Sequence, residues 1–278
     1  MRIIEQFCQG KRLDQSLNED GLIVTDGFAA VVDGVTSKSI RHLWHPSSGV
    51  AAKNHVLETI AGLSVTSTMR EVQQAIDAQF QQAYRECGSY DILVHEPIER
   101  LQANAVIYSV HRREIWLFGD CQVMVNGQQT PTVKRVDELL GELRAFTTLA
   151  LRRQQSSANS TESSSATDST DPARDMILPF LRLQSQFANA RGPYGYFVFD
   201  GFTDLTYPIR TVTVSSGDEV VLASDGYPVL QPTLTASGRE LQRLKREDPE
   251  LISEYRSTKG FVEGYDSFDD RTYVRFIA

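Results

Sequence analysis

The stretch Phe28-Ala29-Ala30-Val31-Val32-Asp33-Gly34-Val35-Thr36 drives an unbroken apolar run straight into an acid and a glycine. Such a run, without polar alternation, reads as a strand buried on both faces. A carboxylate at its end is held by a rigid element, and the glycine behind it allows close backbone approach to a bound group. The combination suits a fixed metal ligand. Taken by itself, a strand ending in Asp-Gly is more often an ordinary turn.

The design recurs along the chain. Asn18-Glu19-Asp20 precedes the apolar Leu22-Ile23-Val24, and Ile115-Trp116-Leu117-Phe118-Gly119-Asp120 is another strand that stops at an acid. Val220-Val221-Leu222-Ala223-Ser224-Asp225-Gly226 repeats the strand and Asp-Gly pair, and Phe268-Asp269-Asp270-Arg271-Thr272 runs into Tyr273-Val274-Arg275-Phe276. The turn signal Asp26-Gly27 joins Leu22–Thr25 to Phe28–Asp33 as a hairpin, which brings Glu19 and Asp20 near Asp33.

In this order, Asn-Glu-Asp, Val-Val-Asp-Gly, Gly-Asp, Ala-Ser-Asp-Gly and Asp-Asp-Arg-Thr resemble the metal-dependent PPM-type serine/threonine phosphatases, the protein phosphatase 2C family. The resemblance runs from about Gly10 to Ala278, and Asp-Gly-Val-Thr is similar to a branch of bacterial members. It implies two packed antiparallel sheets flanked by helices, with metals between the sheets' edges. It also implies that Asp33 bridges two metals and that the Gly34 carbonyl holds one of them, with Glu19 or Asp20 directly or through water. Asp225 and Asp269 would hold the other, and Asp120 with Asp225 a weaker third. Asp33 and Asp225 are the expected catalytic carboxylates.

The carboxylates support the same chemistry independently. Gathering Glu19, Asp20, Asp33, Asp120, Asp225 and Asp269 in one cleft is unfavourable unless cations offset the repulsion. Oxygen ligands without His or Cys select hard cations, Mg2+ or Mn2+. Two such ions about 3.5 to 4 Å apart activate a water and brace in-line attack on phosphorus, with no covalent nucleophile.

Several positions depart from the family pattern. The histidine expected after Asp-Gly is Val35, with His42 and His45 nearby in sequence; loss of general-acid help of ~10²- to 10⁴-fold predicts a slower enzyme. The arginine expected to clamp the substrate phosphate is Gln15, leaving Lys11 or Arg12 as substitutes, Arg12 being the better bidentate partner. Gly-Asp-Ser-Arg is Gly119-Asp120-Cys121-Gln122, where Cys121 reads as a buried inert thiol.

Outside these motifs, strands and helices come in separate blocks, an α+β layered pattern. A strand is expected at Arg2–Phe7, and helices at Pro46–Ile60, from the capping box Thr68-Met69-Arg70-Glu71 to Gly88, and over 136–151, 176–187 and 235–247. Val72, Ile76, Phe80 and Tyr84 fall at helical spacing and read as core. Strands are expected at 105–108, 115–118, 123–125, 196–199, 209–214, 219–223 and 272–277. From Gln154 to Asp171 the chain is Ser-, Thr- and Asn-rich, reading as a mobile loop inside a single phosphatase-like domain; the sequon Asn159-Ser160-Thr161 reads as accidental.

The 278 residues carry a net charge of −8, which argues against a basic nucleic-acid footprint. Three scattered cysteines make neither a disulfide framework nor a zinc knuckle, and no signal core or bilayer-length run is present, so the expected location is the cytoplasm, away from membranes. The expected partner is a phosphorylated protein, the substrate of a serine/threonine kinase. Two alternatives stay open: a catalytically idle phosphatase fold used for recognition, and a phosphatase of small phosphate esters.

Overall fold

The computed structural model describes residues 1–36, 38–158 and 171–278. Its strands form two five-stranded antiparallel sheets. One runs in the order β2 (Asp20–Val24), β3 (Phe28–Gly34), β4 (Ala103–Ser109), β5 (Glu114–Phe118), β8 (Arg210–Thr213). The other runs β1 (Arg2–Gln9), β10 (Arg271–Ile277), β9 (Glu219–Ala223), β6 (Gln122–Val125), β7 (Gln128–Thr130).

Every residue from Phe28 to Val32 is at most 1% exposed, because β3 is covered on both faces. Its even residues, Phe28, Ala30 and Val32, join a core with Val56 and Ile60 of α1 (Ser48–Ala61) and Ile76 and Phe80 of α2 (Met69–Glu86). Ala29 and Val31 join the inter-sheet core, with Val220, Leu222, Val274 and Phe276. Asp33 continues this odd series, so the period of two aims it between the sheets. On the outer side of the second sheet, Met124, Val221 and Tyr273 pack with Tyr227, Leu230 and Leu234, the first residue of α6 (Leu234–Glu247). The result is a four-layer α-β-β-α sandwich, as expected.

Local chemistry fixes the helices. Ser47 caps α1 by accepting from Val50 N at 3.1 Å. The capping box of α2 closes both ways: Thr68 Oγ1 accepts from Glu71 N at 3.2 Å, and Glu71 Oε2 accepts from Thr68 N at 2.7 Å. Val72, Ile76, Phe80 and Tyr84 are buried in one core.

Some elements differ from expectation. β2 begins at Asp20, so this acid lies inside the ladder. Residues 196–199 make isolated bridges, Ala188 to Tyr196 and Ala103 to Phe199, and no strand. Here the Asn189 amide takes both backbone groups of Val198, its Oδ1 accepting from Val198 N at 3.1 Å and its Nδ2 donating to Val198 O at 2.9 Å, so these two groups are not free to extend a ladder. α3 (Tyr90–His95) and β7 were not anticipated.

The helix expected from Val136 to Leu151 is longer: α4 spans Arg135–Ala158 and takes in Gln154 to Ala158. The rest of the expected loop and its sequon fall outside the described residues. Asp171 is the N-cap of α5 (Pro172–Leu183), whose first-turn proline starts it ahead of Met176, and a 3-10 turn over Gln184–Phe187 follows. Val136 and Leu140 of α4 and Ile177 and Leu181 of α5 pack with Tyr196 and Val198.

Candidate active site

The acids converge because the two sheets present strand ends at one end of the sandwich. In the first sheet the register pairs Asp20 with Asp33 and Asp33 with Asn104, a polar row across β2, β3 and β4. Gly119 and Asp120 follow β5 directly, and in the second sheet Asp225 follows β9 while Asp269 and Asp270 lead into β10. Two glycines permit this crowding. A Cβ on Gly34 would stand 2.0 Å from the Gly49 carbonyl oxygen, and one on Gly226 would stand 1.9 Å from that of Asp270.

A cleft of about 870 Å3 opens here, lined by Asp33, Asp120, Asp225 and Asp269 together with Asn104 and Lys38. Glu19, Asp20 and Gly34 do not line it. The Glu19 carboxylate is occupied, accepting from Ser47 Oγ and from Thr36 Oγ1, both at 2.7 Å. Asp270 ties the turns together: it accepts from Glu19 N and from Lys11 N, both at 2.8 Å.

The electrostatics divide the acids. Asp33 and Asp225 have no hydrogen bond or ion pair among the described residues. Burial pushes Asp225 up to about 7, and Asp269 and Asp120 push it the same way. Asp33 is held well above the carboxylate range by burial first, then by Asp225 and Asp20; Asp20 is raised in the same sense, chiefly by burial. Asp269 goes the other way. Burial opposes its ionisation, but the ammonium groups of Lys259 and Lys11, the latter at 2.8 Å, outweigh that and hold it below its usual range. Lys134 pairs with Asp120 Oδ2 at 2.7 Å.

Comparison with solved structures places the fold. The serine/threonine phosphatase Stp1 from Staphylococcus aureus superposes with a TM-score of 0.51 at 14% identity, over 100% of this chain and 95% of that one. The fold is that of the PPM-type serine/threonine phosphatases. Weaker superpositions link the chain to the catalytic domain of the phosphatase PstP in complex with two manganese ions (TM-score 0.49, 12% identity, 99% and 98% covered). Another is to the PPM phosphatase MsPP from Mycobacterium smegmatis in complex with cacodylate (TM-score 0.46, 15% identity, 99% and 98% covered). No protein-family profile and no curated protein matches the sequence itself.

On this PPM-type fold the donor chemistry can be tested directly. At this end of the sandwich, among the described residues, three buried oxygens have no hydrogen-bond partner: Asp20 Oδ2, Asp120 Oδ1 and Asn104 Oδ1. With the unpaired Asp33 and Asp225 they form an oxygen-only set suited to a hard cation. Among the described residues, no three His, Cys, Asp or Glu side chains already converge on one coordination point. Asp269 is engaged by two lysines and Glu19 by two hydroxyls, so these would have to exchange partners to ligate.

The remaining candidates sort clearly. Arg12 is exposed and does not line the cleft, while Gln15 is spent on its own loop, bonding Gly10 N at 2.8 Å and Arg12 O at 2.6 Å. Lys11 reaches Asp269. His42 and His45 are exposed and absent from the cleft lining, and Val35 lies against the α4–α5 core. Burial, then Asp33 and Asp120, push the Cys121 thiol well above its ordinary value, which makes it inert. Gln122 donates to Ser224 O at 2.9 Å and Tyr227 O at 2.8 Å, bracketing the Asp225 turn.

Sequence reasoning missed Asn104, Lys38, Lys134, Arg174 and Lys259. Asn104 carries a signal, a polar residue in a strand that is otherwise apolar up to Tyr108. The cations come from loops and helix ends, where no periodicity marks them.

Proposed function

We propose that this chain is a metal-dependent phosphatase that hydrolyses phosphoserine or phosphothreonine in proteins, as one cytoplasmic phosphatase-like domain. The observation that carries the reading is the pair Asp33 and Asp225: half-buried carboxylates that line one cleft with no hydrogen bond or ion pair among the described residues, Asp225 raising the affinity of Asp33 for positive charge. Mn2+ or Mg2+, two ions and a third at Asp120 with Asp225, would be held by Asp33, the Gly34 carbonyl, Asp225 and Asp269, with Glu19 and Asp20 behind. The bound ions supply an activated water and neutralise charge on the phosphoryl group. Asp33 and Asp225 would orient that centre from rigid strand ends, with Asn104 opposite Asp33 on the adjacent strand. Among the described residues, no helix is long and apolar enough to cross a membrane.

The test is hydrolysis of an aryl phosphate and of a phosphopeptide panel by purified protein with and without Mn2+. Metal-dependent turnover is expected, and Asp33→Asn or Asp225→Asn lowers kcat/KM at least ~100-fold, about 2.7 kcal/mol of barrier. Intact turnover in either variant rules the reading out. The ion pairs on Asp269 and Asp120 favour a second reading, a catalytically idle fold that recognises a phosphoprotein; preserved phosphopeptide affinity without turnover at saturating Mn2+ selects it.

A further inference from the structure

Six cationic side chains border the cleft: Lys38, Lys134, Arg135, Arg174, Arg256 and Lys259. Four have carboxylate partners. Lys134 pairs with Asp120 at 2.7 Å, Lys259 with Asp269, Arg135 with Glu138 at 3.2 Å and Arg256 with Glu142 at 3.2 Å. The other two have no carboxylate within ion-pair distance among the described residues. Lys38 Nζ donates to the Thr36 carbonyl at 3.3 Å, and the Arg174 guanidinium donates to the Thr258 carbonyl.

Both cations line the same cleft. Burial pushes the Lys38 ammonium down to about 8, and Arg174 and then Lys259 are the charges that push it furthest in the same direction. Arg174 is lowered too, by burial, which outweighs the opposing pull of Asp171 and Asp269. A partly buried cation with no carboxylate bonded to it is unfavourable unless an anion joins it. The cleft in which they stand also holds Asp33 and Asp225.

We propose that Lys38 and Arg174 bind the phosphoryl oxygens of the substrate, doing from the cleft wall what an arginine at the position of Gln15 would do. The assignment rests on the phosphatase reading for its substrate class, but its ligand chemistry is that of any tetrahedral phosphate dianion. A guanidinium offers a fork of donors to two oxygens, and an ammonium offers a compact charge to a third. The other candidate positions do not serve: the neutral Gln15 ties its own loop, Arg12 faces solvent, and Lys11 is held by Asp269.

Inorganic phosphate is the probe. Its affinity for the full chain is measured by titration calorimetry at pH 7 with saturating Mn2+, for wild type, Lys38→Met, Arg174→Met and the charge-preserving Lys38→Arg. Manganese affinity and thermal stability are recorded in parallel. The expected result is a loss of phosphate affinity of at least tenfold in each Met variant, with manganese binding retained and Lys38→Arg close to wild type. Unchanged phosphate affinity in both Met variants overturns the assignment, as does a wild type that binds Mn2+ but no phosphate. Phosphate binding that depends on Lys38 and Arg174 in a protein with no turnover upholds the assignment while the phosphatase reading fails.

Discussion

At the scale of single residues, the acids of the cleft set function against stability. Asp225 titrates at about 7 in the folded chain against 3.8 for the ordinary group. The native state therefore holds a proton that the unfolded chain has lost between those values, and the metal-free protein loses stability as pH rises through that window. Asp225→Asn removes the penalty: its metal-free melting temperature at pH 8 is expected to exceed wild type by a few degrees, the two proteins converging towards pH 4. Thermal unfolding with a chelator across pH 4 to 8 checks this, and equal pH slopes would contradict it. Asp33, Asp120, Asp225 and Asp269 were legible in the sequence because each ends or begins an apolar run, which fixes its place at a strand end. Lys38, Arg174 and Lys259 were not, because their approach depends on how loops and helix ends pack over the sheets. Arg12 looked the better phosphate ligand on charge and spacing, yet its side chain faces solvent.

At the scale of elements, the helices and hairpins with explicit local chemistry formed where their sequence signals stood. The capping box of α2 is one such signal, and Thr68→Ala is expected to cost about 1 kcal/mol, read as a shift of the urea midpoint with an unchanged m-value. The junction of β9 with β10 is a harder constraint. Gly226→Ala would drive a methyl group into the Asp270 carbonyl, 1.9 Å away, so it is expected to part the Asp225 and Asp270 turns. Calorimetry should show weaker manganese binding together with a lower melting temperature. What local sequence did not disclose was competition from tertiary contacts. Tyr196 to Phe199 has strand composition, but the Asn189 side chain takes both backbone groups of Val198, which a ladder on that side would use.

At the scale of the whole molecule, the layer order follows from a single alternation repeated in both sheets: one set of residues faces helices and the other faces the opposite sheet. That much was legible, since Phe28 to Asp33 and Val220 to Asp225 share the design. The order of strands was not, because β1 and β10 come from opposite ends of the sequence and their pairing depends on the completed sandwich. That pairing is antiparallel, with Arg2 opposite Ile277 and Gln9 opposite Arg271. The two strand ends at Arg2 and Ile277 are therefore neighbours in one ladder. Tension applied between them would open β1 from β10 one rung at a time, like a zip, with no row of hydrogen bonds loaded in parallel. A molecule held this way should yield at low force, and the peeling would reach the Lys11 and Asp269 contact only after the last rung at Gln9.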